Sequence, residues 1–210
     1  MLSFKTSEFF PVLEQYNQDF WPLQVLAFVL ALAIVLLSVK NTKWKTRVIF
    51  SLLAFFWLWT GLVFCLLYWG PNYIYAYFFA LIFTIQGGFF IKQSIQPSFN
   101  FTFKIGFRST IALLLLVYAM LGYQILGIAL DHIYPRFFSV GLVPCPTIIF
   151  TLGLFLLANK KIPNYLLILQ IIGAFSLVIA VFSGIYEDIG VLIAGIVAII
   201  LILPKRPKTA

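Results

Sequence analysis

Charged residues are scarce in this 210-residue sequence, at 10% of the total. A soluble domain is roughly half apolar and about a quarter charged. Here 63% of the residues are hydrophobic, and apolar runs of about 20 residues recur along the chain. The composition excludes an ordinary soluble domain. It predicts a single integral membrane domain over residues 1–210, in contact with the lipid bilayer.

Cysteine and histidine are also rare, with two cysteines and one histidine. Metal sites usually show clustered ligands, so the sequence predicts no metal and no cofactor, and His132 is interpreted as a loop residue. Serine-hydrolase, zinc-protease, P-loop and dinucleotide motifs are absent, and no enzyme class is predicted. The net charge of +8 does not indicate nucleic acid, because no basic patch alternates with exposed aromatic residues.

Residues 1–20 lack the continuous apolar core of a cleavable signal peptide. The first apolar span is therefore expected to act as an uncleaved anchor. Apolar residues recur near helical spacing before it, at Phe9, Phe10, Leu13, Tyr16 and Phe20. This pattern predicts a short helix that lies on the outer membrane interface.

Seven apolar segments are predicted to cross the membrane. They cover about 21–39, 48–69, 72–91, 109–130, 140–158, 164–184 and 189–204. The loops after the first, third, fifth and seventh spans hold every lysine and arginine except Lys5 and Arg136. All six acidic residues fall on the opposite side. The positive-inside rule then predicts an all-α bundle with its N-terminus outside and its C-terminus in the cytoplasm.

No ionisable residue lies deep within a predicted span, which argues against a proton pump or a carboxylate-driven antiporter. The spans carry neutral polar residues instead, namely Gln24, Thr60, Gln86, Gln124, Thr147, Thr151, Gln170 and Ser176. Such side chains commonly join helices by hydrogen bonds. Alternatively, they line a polar cavity for a small neutral or zwitterionic solute.

The fifth span opens with Val143-Pro144-Cys145-Pro146. A residue before proline is disfavoured in the helical conformation, so Val143 and Cys145 are expected to be extended and the helix to begin at Pro146. From there to Ala158 the helix spans about 20 Å, less than the roughly 30 Å apolar core. Residues 140–145 are therefore predicted to be non-helical chain surrounded by protein or water.

This broken start defines a candidate binding site. Cys145 would lie at a helix N-terminus, where the dipole favours a thiolate or a bound anion. The amides of Thr147 and Ile148 would be free to donate to it. The alternatives are a kinked helix with an inert buried cysteine and a disulfide between Cys65 and Cys145.

Two acidic residues precede the last span. Glu187 and Asp188 either complement the helix dipole or form a cation-attracting rim with Glu14 and Asp19. The full predicted binding site consists of Cys145, Pro144, Pro146, Thr147, Gln24, Asn17, Glu187 and Asp188.

Three stretches carry a resemblance to a known family: YNQDFWPLQ (16–24), GLVPCPTIIFTLGL (141–154) and EDIG (187–190). In them the chain resembles an uncharacterised family of bacterial multi-pass membrane proteins, catalogued as a domain of unknown function and sometimes labelled permease. The resemblance covers nearly the whole chain. It implies a location in the bacterial inner (plasma) membrane, but no established activity and no catalytic residues.

Three functions follow as hypotheses. The favoured one is a permease-like transporter or binding protein for a small solute, with its site in the outer half of the bundle. The second is a thiol-based redox or soft-metal protein that uses Cys145. The third is a non-catalytic accessory subunit, whose protein partners the sequence leaves unknown.

Overall fold

The computed structural model describes residues 6–40 and 42–203, and helices dominate these ranges. The α-helices are α1 (Thr6–Asp19), α2 (Trp21–Val39), α3 (Lys45–Trp59), α4 (Ile74–Ile95), α5 (Phe107–Val117), α6 (Tyr123–Ala129), α7 (Pro144–Leu156), α8 (Asn164–Ser176), α9 (Val178–Phe182) and α10 (Ile189–Leu201). The π-helix π1 (Thr60–Trp69) continues α3, and π2 (Tyr118–Gly122) joins α5 to α6. A 3-10 turn, Tyr186–Asp188, precedes α10. The described residues contain no β-strand, so the all-α prediction is confirmed for this part of the chain.

Five helical segments among the described residues are long and apolar enough to cross a membrane. They are Trp21–Val39, Lys45–Trp69, Ile74–Ile95, Phe107–Ala129 and Asn164–Phe182. These correspond to the first four predicted spans and the sixth. The fold is therefore compatible with a membrane protein, while the outer N-terminus and cytoplasmic C-terminus stay predictions.

The fifth and seventh predicted spans form shorter helices. α7 and α10 each have 13 residues, which gives about 20 Å of helix against an apolar bilayer core of roughly 30 Å. The seven-span count therefore stays a prediction. Residues 1–5 of the predicted interfacial segment and Pro204 of the last span lie outside the described residues.

α7 is the central helix of the fold. Every residue from Pro144 to Leu156 is buried, and α7 packs against α3, α5, α8 and α10. A helix that is hydrophobic all round is stable only where protein or lipid surrounds it completely. The short length of α7 and its unbroken apolar sequence agree with a core position.

α10 presents a stripe of small residues to the core. Gly190, Ala194 and Ala198 recur every four residues and are all buried. α10 packs on α7 and α8, and small side chains allow such close approach of helix backbones.

α1 is a helix, as its spacing predicts, but it packs into the protein. Phe9, Leu13, Tyr16 and Asn17 are buried. The Tyr16 hydroxyl donates a hydrogen bond to the Leu142 carbonyl at 3.0 Å. α1 therefore fixes the loop that leads into α7.

Candidate ligand-binding cavity

A cavity of about 320 Å³ lies beside the start of α7. Aromatic residues supply much of its lining: Phe9, Phe64, Trp69, Phe78, Phe79 and Phe138. Aliphatic residues add to it: Val143, Leu177, Ile179, Ala180 and Ile185. The polar contributions include Cys145, Ser176 and Asp188. Most of the wall is thus apolar, with a few polar groups.

The start of α7 differs from its prediction. Val143 is extended, with φ −131° and ψ 157°, but the helix begins at Pro144 and not at Pro146. Cys145 is therefore helical, and its predicted extended conformation is wrong. Proline is tolerated in a first turn because the amides there have no intrahelical acceptor. The preference of a residue before proline for an extended conformation therefore does not hold at Cys145.

The two prolines also reduce the number of buried donors. Helix N-termini leave their first backbone N–H groups without partners, and neither Pro144 nor Pro146 has such a group. Of the first three helical residues, only Cys145 carries a backbone N–H. A proline-rich start therefore suits a helix that begins inside the protein.

The non-helical chain before α7 is buried, and side chains pair with its polar groups. The Gly141 N–H donates to the Thr147 hydroxyl at 2.8 Å, and that hydroxyl donates to the Val143 carbonyl at 2.7 Å. The Thr60 hydroxyl donates to the Gly141 carbonyl at 3.3 Å. The Thr147 hydroxyl thus stabilises this segment by hydrogen bonds. Thr147 does not line the cavity.

Gly141 is required by both conformation and space. Its φ is +81°, a region that residues with a Cβ rarely adopt. A Cβ built there would lie 2.5 Å from the Phe56 ring. The glycine allows the chain to turn against α3 before it enters α7.

Asp188 forms a buried polar cluster at the cavity wall. Its side chain accepts hydrogen bonds from the Tyr123 hydroxyl and from the Cys145 thiol, the latter at 3.2 Å. Burial raises the pKa of Asp188 from 3.8 to about 7, against the lowering effect of the two donors and with a smaller raising effect from Glu187. Burial thus favours the protonated acid, which can both donate and accept hydrogen bonds.

Glu187 and His132 form a second buried pair. His132 Nδ1 lies 2.5 Å from Glu187 Oε1, with the two side chains 12% and 0% exposed. Glu187 Oε2 has no hydrogen-bond partner among the described residues. The Tyr118 hydroxyl donates to the Glu187 carbonyl at 2.8 Å. His132 lies in a loop as interpreted, but it also packs against the Phe10 ring, 4.6 Å between centroids.

The alternative of an exposed acidic rim is wrong for these two residues. Glu187 and Asp188 are 0% and 1% exposed. Glu14 instead lies 2.5 Å from Arg136, and Asp19 accepts a hydrogen bond from Tyr68 at 2.7 Å. The four acids therefore have separate partners.

Asn17 and Gln24 hold the loop before α7 and do not line the cavity. Asn17 Nδ2 donates to the carbonyls of Pro135 and Phe137, at 2.5 and 2.7 Å. Gln24 Nε2 donates to Asn17 Oδ1 at 3.0 Å. Their geometry is that of positioning residues for the loop.

Other neutral polar residues bond between elements of the fold. The Trp57 indole donates to the Thr151 hydroxyl at 2.9 Å, and Gln86 donates to the Leu166 carbonyl at 3.1 Å. The Gln124 amide donates to the Phe138 carbonyl at 2.5 Å. These contacts favour the interpretation that the polar residues join parts of the bundle.

Both cysteines are free and buried, so the disulfide alternative is wrong in this structure. Cys65 is 0% exposed and Cys145 is 6% exposed. Among the described residues, no group of three or more His, Cys, Asp or Glu side chains could hold a metal ion.

Three of the eight predicted site residues meet at the cavity: Pro144, Cys145 and Asp188. Glu187 lies beside it in the chain and contacts His132, while Pro146 is buried in the first turn of α7. Sequence reasoning missed Tyr123, the donor to Asp188. A tyrosine within an apolar span was an available signal, because a buried hydroxyl usually has a partner.

In its described residues the chain is all-helical, with helices that suit a membrane and a mainly apolar cavity in its core. The chain belongs to the family of unknown function DUF6064, which matches residues 6–210. No curated protein and no solved structure matches the chain.

Proposed function

We propose that the protein is a membrane-embedded binding protein for a small, mainly apolar molecule, held in the cavity beside the start of α7. The supporting observation is the cavity itself, about 320 Å³ of mainly apolar lining with Cys145 and Asp188 as polar groups. Ligand sites commonly have this size and this mixture of an apolar wall with a few polar groups. An uncharged molecule suits this lining better than a zwitterion, because a buried charge needs a partner.

A fluorescent probe tests binding. Aminoanthracene is apolar and carries one amine, and it should bind the full-length protein saturably in lipid nanodiscs. Ala180 lines the cavity and is buried, so Ala180→Phe should occupy part of the space and weaken binding at least tenfold.

Ile172→Phe is the matched control. Ile172 lies on α8, is 41% exposed and does not line the cavity. This variant should bind the probe like the wild type. Equal binding by the wild type and Ala180→Phe would overturn the assignment of the cavity as the site.

Transport of a small solute is the permease-like form of the same proposal. Binding has the more direct support, because Gln86 and Thr151 bond between helices and do not line the cavity. Flux of a neutral solute into vesicles containing the protein would support transport. Saturable probe binding without any flux would limit the function to binding.

The position of Cys145 favours one alternative, a thiol-based redox protein. Its sulfur borders the cavity, and the thiol donates to Asp188 at 3.2 Å. Treatment with peroxide followed by a sulfenic-acid reagent should then label the wild type and not Cys145→Ala. The absence of label from both proteins would remove this alternative.

A further inference from the structure

The cavity is closed on the side of α1 and the loop before α7. Phe9, Trp69 and Phe138 line it there and are 5%, 5% and 3% exposed. Their rings pack together, with centroids 5.6 Å apart for Phe9 and Trp69 and 6.1 Å apart for Phe9 and Phe138. The charge pattern of the sequence places α1 and this loop on the outer, aqueous side. A buried aromatic layer thus separates the cavity from that side.

The cavity reaches the surface of the helices on another side. Phe78 of α4 and Ile179 of α9 both line it and are 47% and 41% exposed. Their exposed neighbours are apolar too, with Leu81 at 60% and Phe182 at 86%. No charged residue occurs in residues 74–91 or 164–186. This surface is chemically suited to lipid and not to water.

We infer that a single-chain amphiphile fills the cavity from within the bilayer, through the gap between α4 and α9, and that its head donates a hydrogen bond and carries no negative charge. This inference rests on the proposed binding function and adds the ligand class and its route. Phe78 lies four residues after the start of α4, which places the entrance about 6 Å along that helix. An amphiphile that enters there keeps its head group near the N-terminal end of α4.

The polar groups of the cavity indicate which head group the bound amphiphile carries. Asp188 already accepts bonds from Tyr123 and Cys145, but a carboxyl group, protonated or ionised, keeps further acceptor sites. A hydroxyl or amine on the ligand can therefore donate to it. Among the described residues, the lining includes no lysine, arginine or histidine to pair with an anionic head, and an unpaired buried anion is costly.

Cys145 serves as a reporter of the route. The full-length protein in lipid vesicles is treated with octyl methanethiosulfonate, which partitions into the bilayer, or with its charged trimethylammonium analogue, which stays in water. Leu81→Cys in a Cys145→Ala background gives the reference rate for a thiol on the exposed apolar surface. The octyl reagent should modify Cys145 at least tenfold faster than the charged reagent does, and the reference thiol of Leu81→Cys should show the same preference.

Competition tests the head. Dodecanol and dodecylamine should each slow modification by the octyl reagent at least fivefold, and dodecanoate should not. Equal protection by dodecanoate would overturn the inferred head chemistry.

Variants at the entrance test the gap. Phe78→Trp should slow the octyl reagent at Cys145 at least threefold, whereas Leu81→Trp, on the same helix but outside the cavity lining, should not. Faster reaction with the charged reagent, together with no effect of Phe78→Trp, would show entry from water and overturn the inferred route while leaving the binding function intact. Failure of both reagents at Cys145, together with failure of aminoanthracene to bind, would overturn both proposals.

Discussion

Replacing Tyr16 with phenylalanine should destabilise the fold by removing one hydroxyl that makes two bonds. This hydroxyl donates to the Leu142 carbonyl at 3.0 Å and accepts from the Trp59 indole at 2.8 Å. Tyr16 is 0% exposed, so water cannot replace it at the carbonyl without a rearrangement. An unsatisfied buried group costs about 1–3 kcal/mol. The Trp59 indole is only partly buried, and we therefore expect a total loss of about 2–4 kcal/mol.

Tyr68→Phe is the matched control. The Tyr68 hydroxyl donates to Asp19 at 2.7 Å in an exposed position, so its removal should cost less than about 1 kcal/mol. Tyr16→Phe leaves the Trp59 indole N–H without its acceptor. The double variant Tyr16→Phe with Trp59→Phe removes this donor and should therefore be destabilised less by that unpaired group. Reversible unfolding in mixed micelles, followed by circular dichroism, gives the three free-energy differences. A loss in Tyr16→Phe no larger than that in Tyr68→Phe would refute the reasoning.

Two further predictions concern the last helix and the acid before it. Because burial raises the pKa of Asp188 from 3.8 to about 7, the protonated acid stabilises the fold. The wild type should lose about 3 kcal/mol of unfolding free energy as pH rises from about 4 to 7. In Asp188→Asn, the unfolding free energy should lack this decrease with rising pH. A variant whose unfolding free energy falls with pH as steeply as that of the wild type would contradict the prediction. Gly190→Ala would place a Cβ 2.1 Å from the Tyr118 ring and should cost about 1–3 kcal/mol. Gly88→Ala, with nothing within 4 Å, is the control for the same unfolding measurement and should cost nothing.

The sequence predicted the helical elements well where an apolar run was long and uninterrupted. Ile74–Ile95 is one example, since its length and hydropathy both indicate a membrane-crossing helix. α1 was also predictable, because its apolar residues recur near helical spacing. Its burial against the loop before α7 was not predictable, since the partners Leu142 and Pro135 lie more than 100 residues away.

The start of α7 differs from its prediction because a first turn tolerates proline, so the local preference of Cys145 for an extended conformation does not hold. A short apolar helix can be a broken span or a core helix with the same sequence. The packing of α3, α5, α8 and α10 around α7 shows that it lies in the core. Whether α7 also crosses part of a membrane stays a prediction.

The candidate site was predictable only in part. Pro144, Cys145 and Asp188 were identified by unusual composition, and they do meet at the cavity. Phe9 and Phe138 are ordinary residues in an aromatic-rich chain, and their place in the lining depends on how α1 docks. The burial of Glu187 likewise depends on His132, which lies 55 residues earlier in the chain.

The hydrogen bonds of Asn17 bear on the order in which contacts form while the chain is being synthesised. Its partners, the carbonyls of Pro135 and Phe137, follow it by 118 and 120 residues. At about 5–20 residues per second, a ribosome needs about 6–24 s to produce them after Asn17. During this interval the Asn17 side chain lacks these two acceptors, although α1 is the first described helix to be made. The bonds of Asn17 are thus among the last contacts of α1 to form.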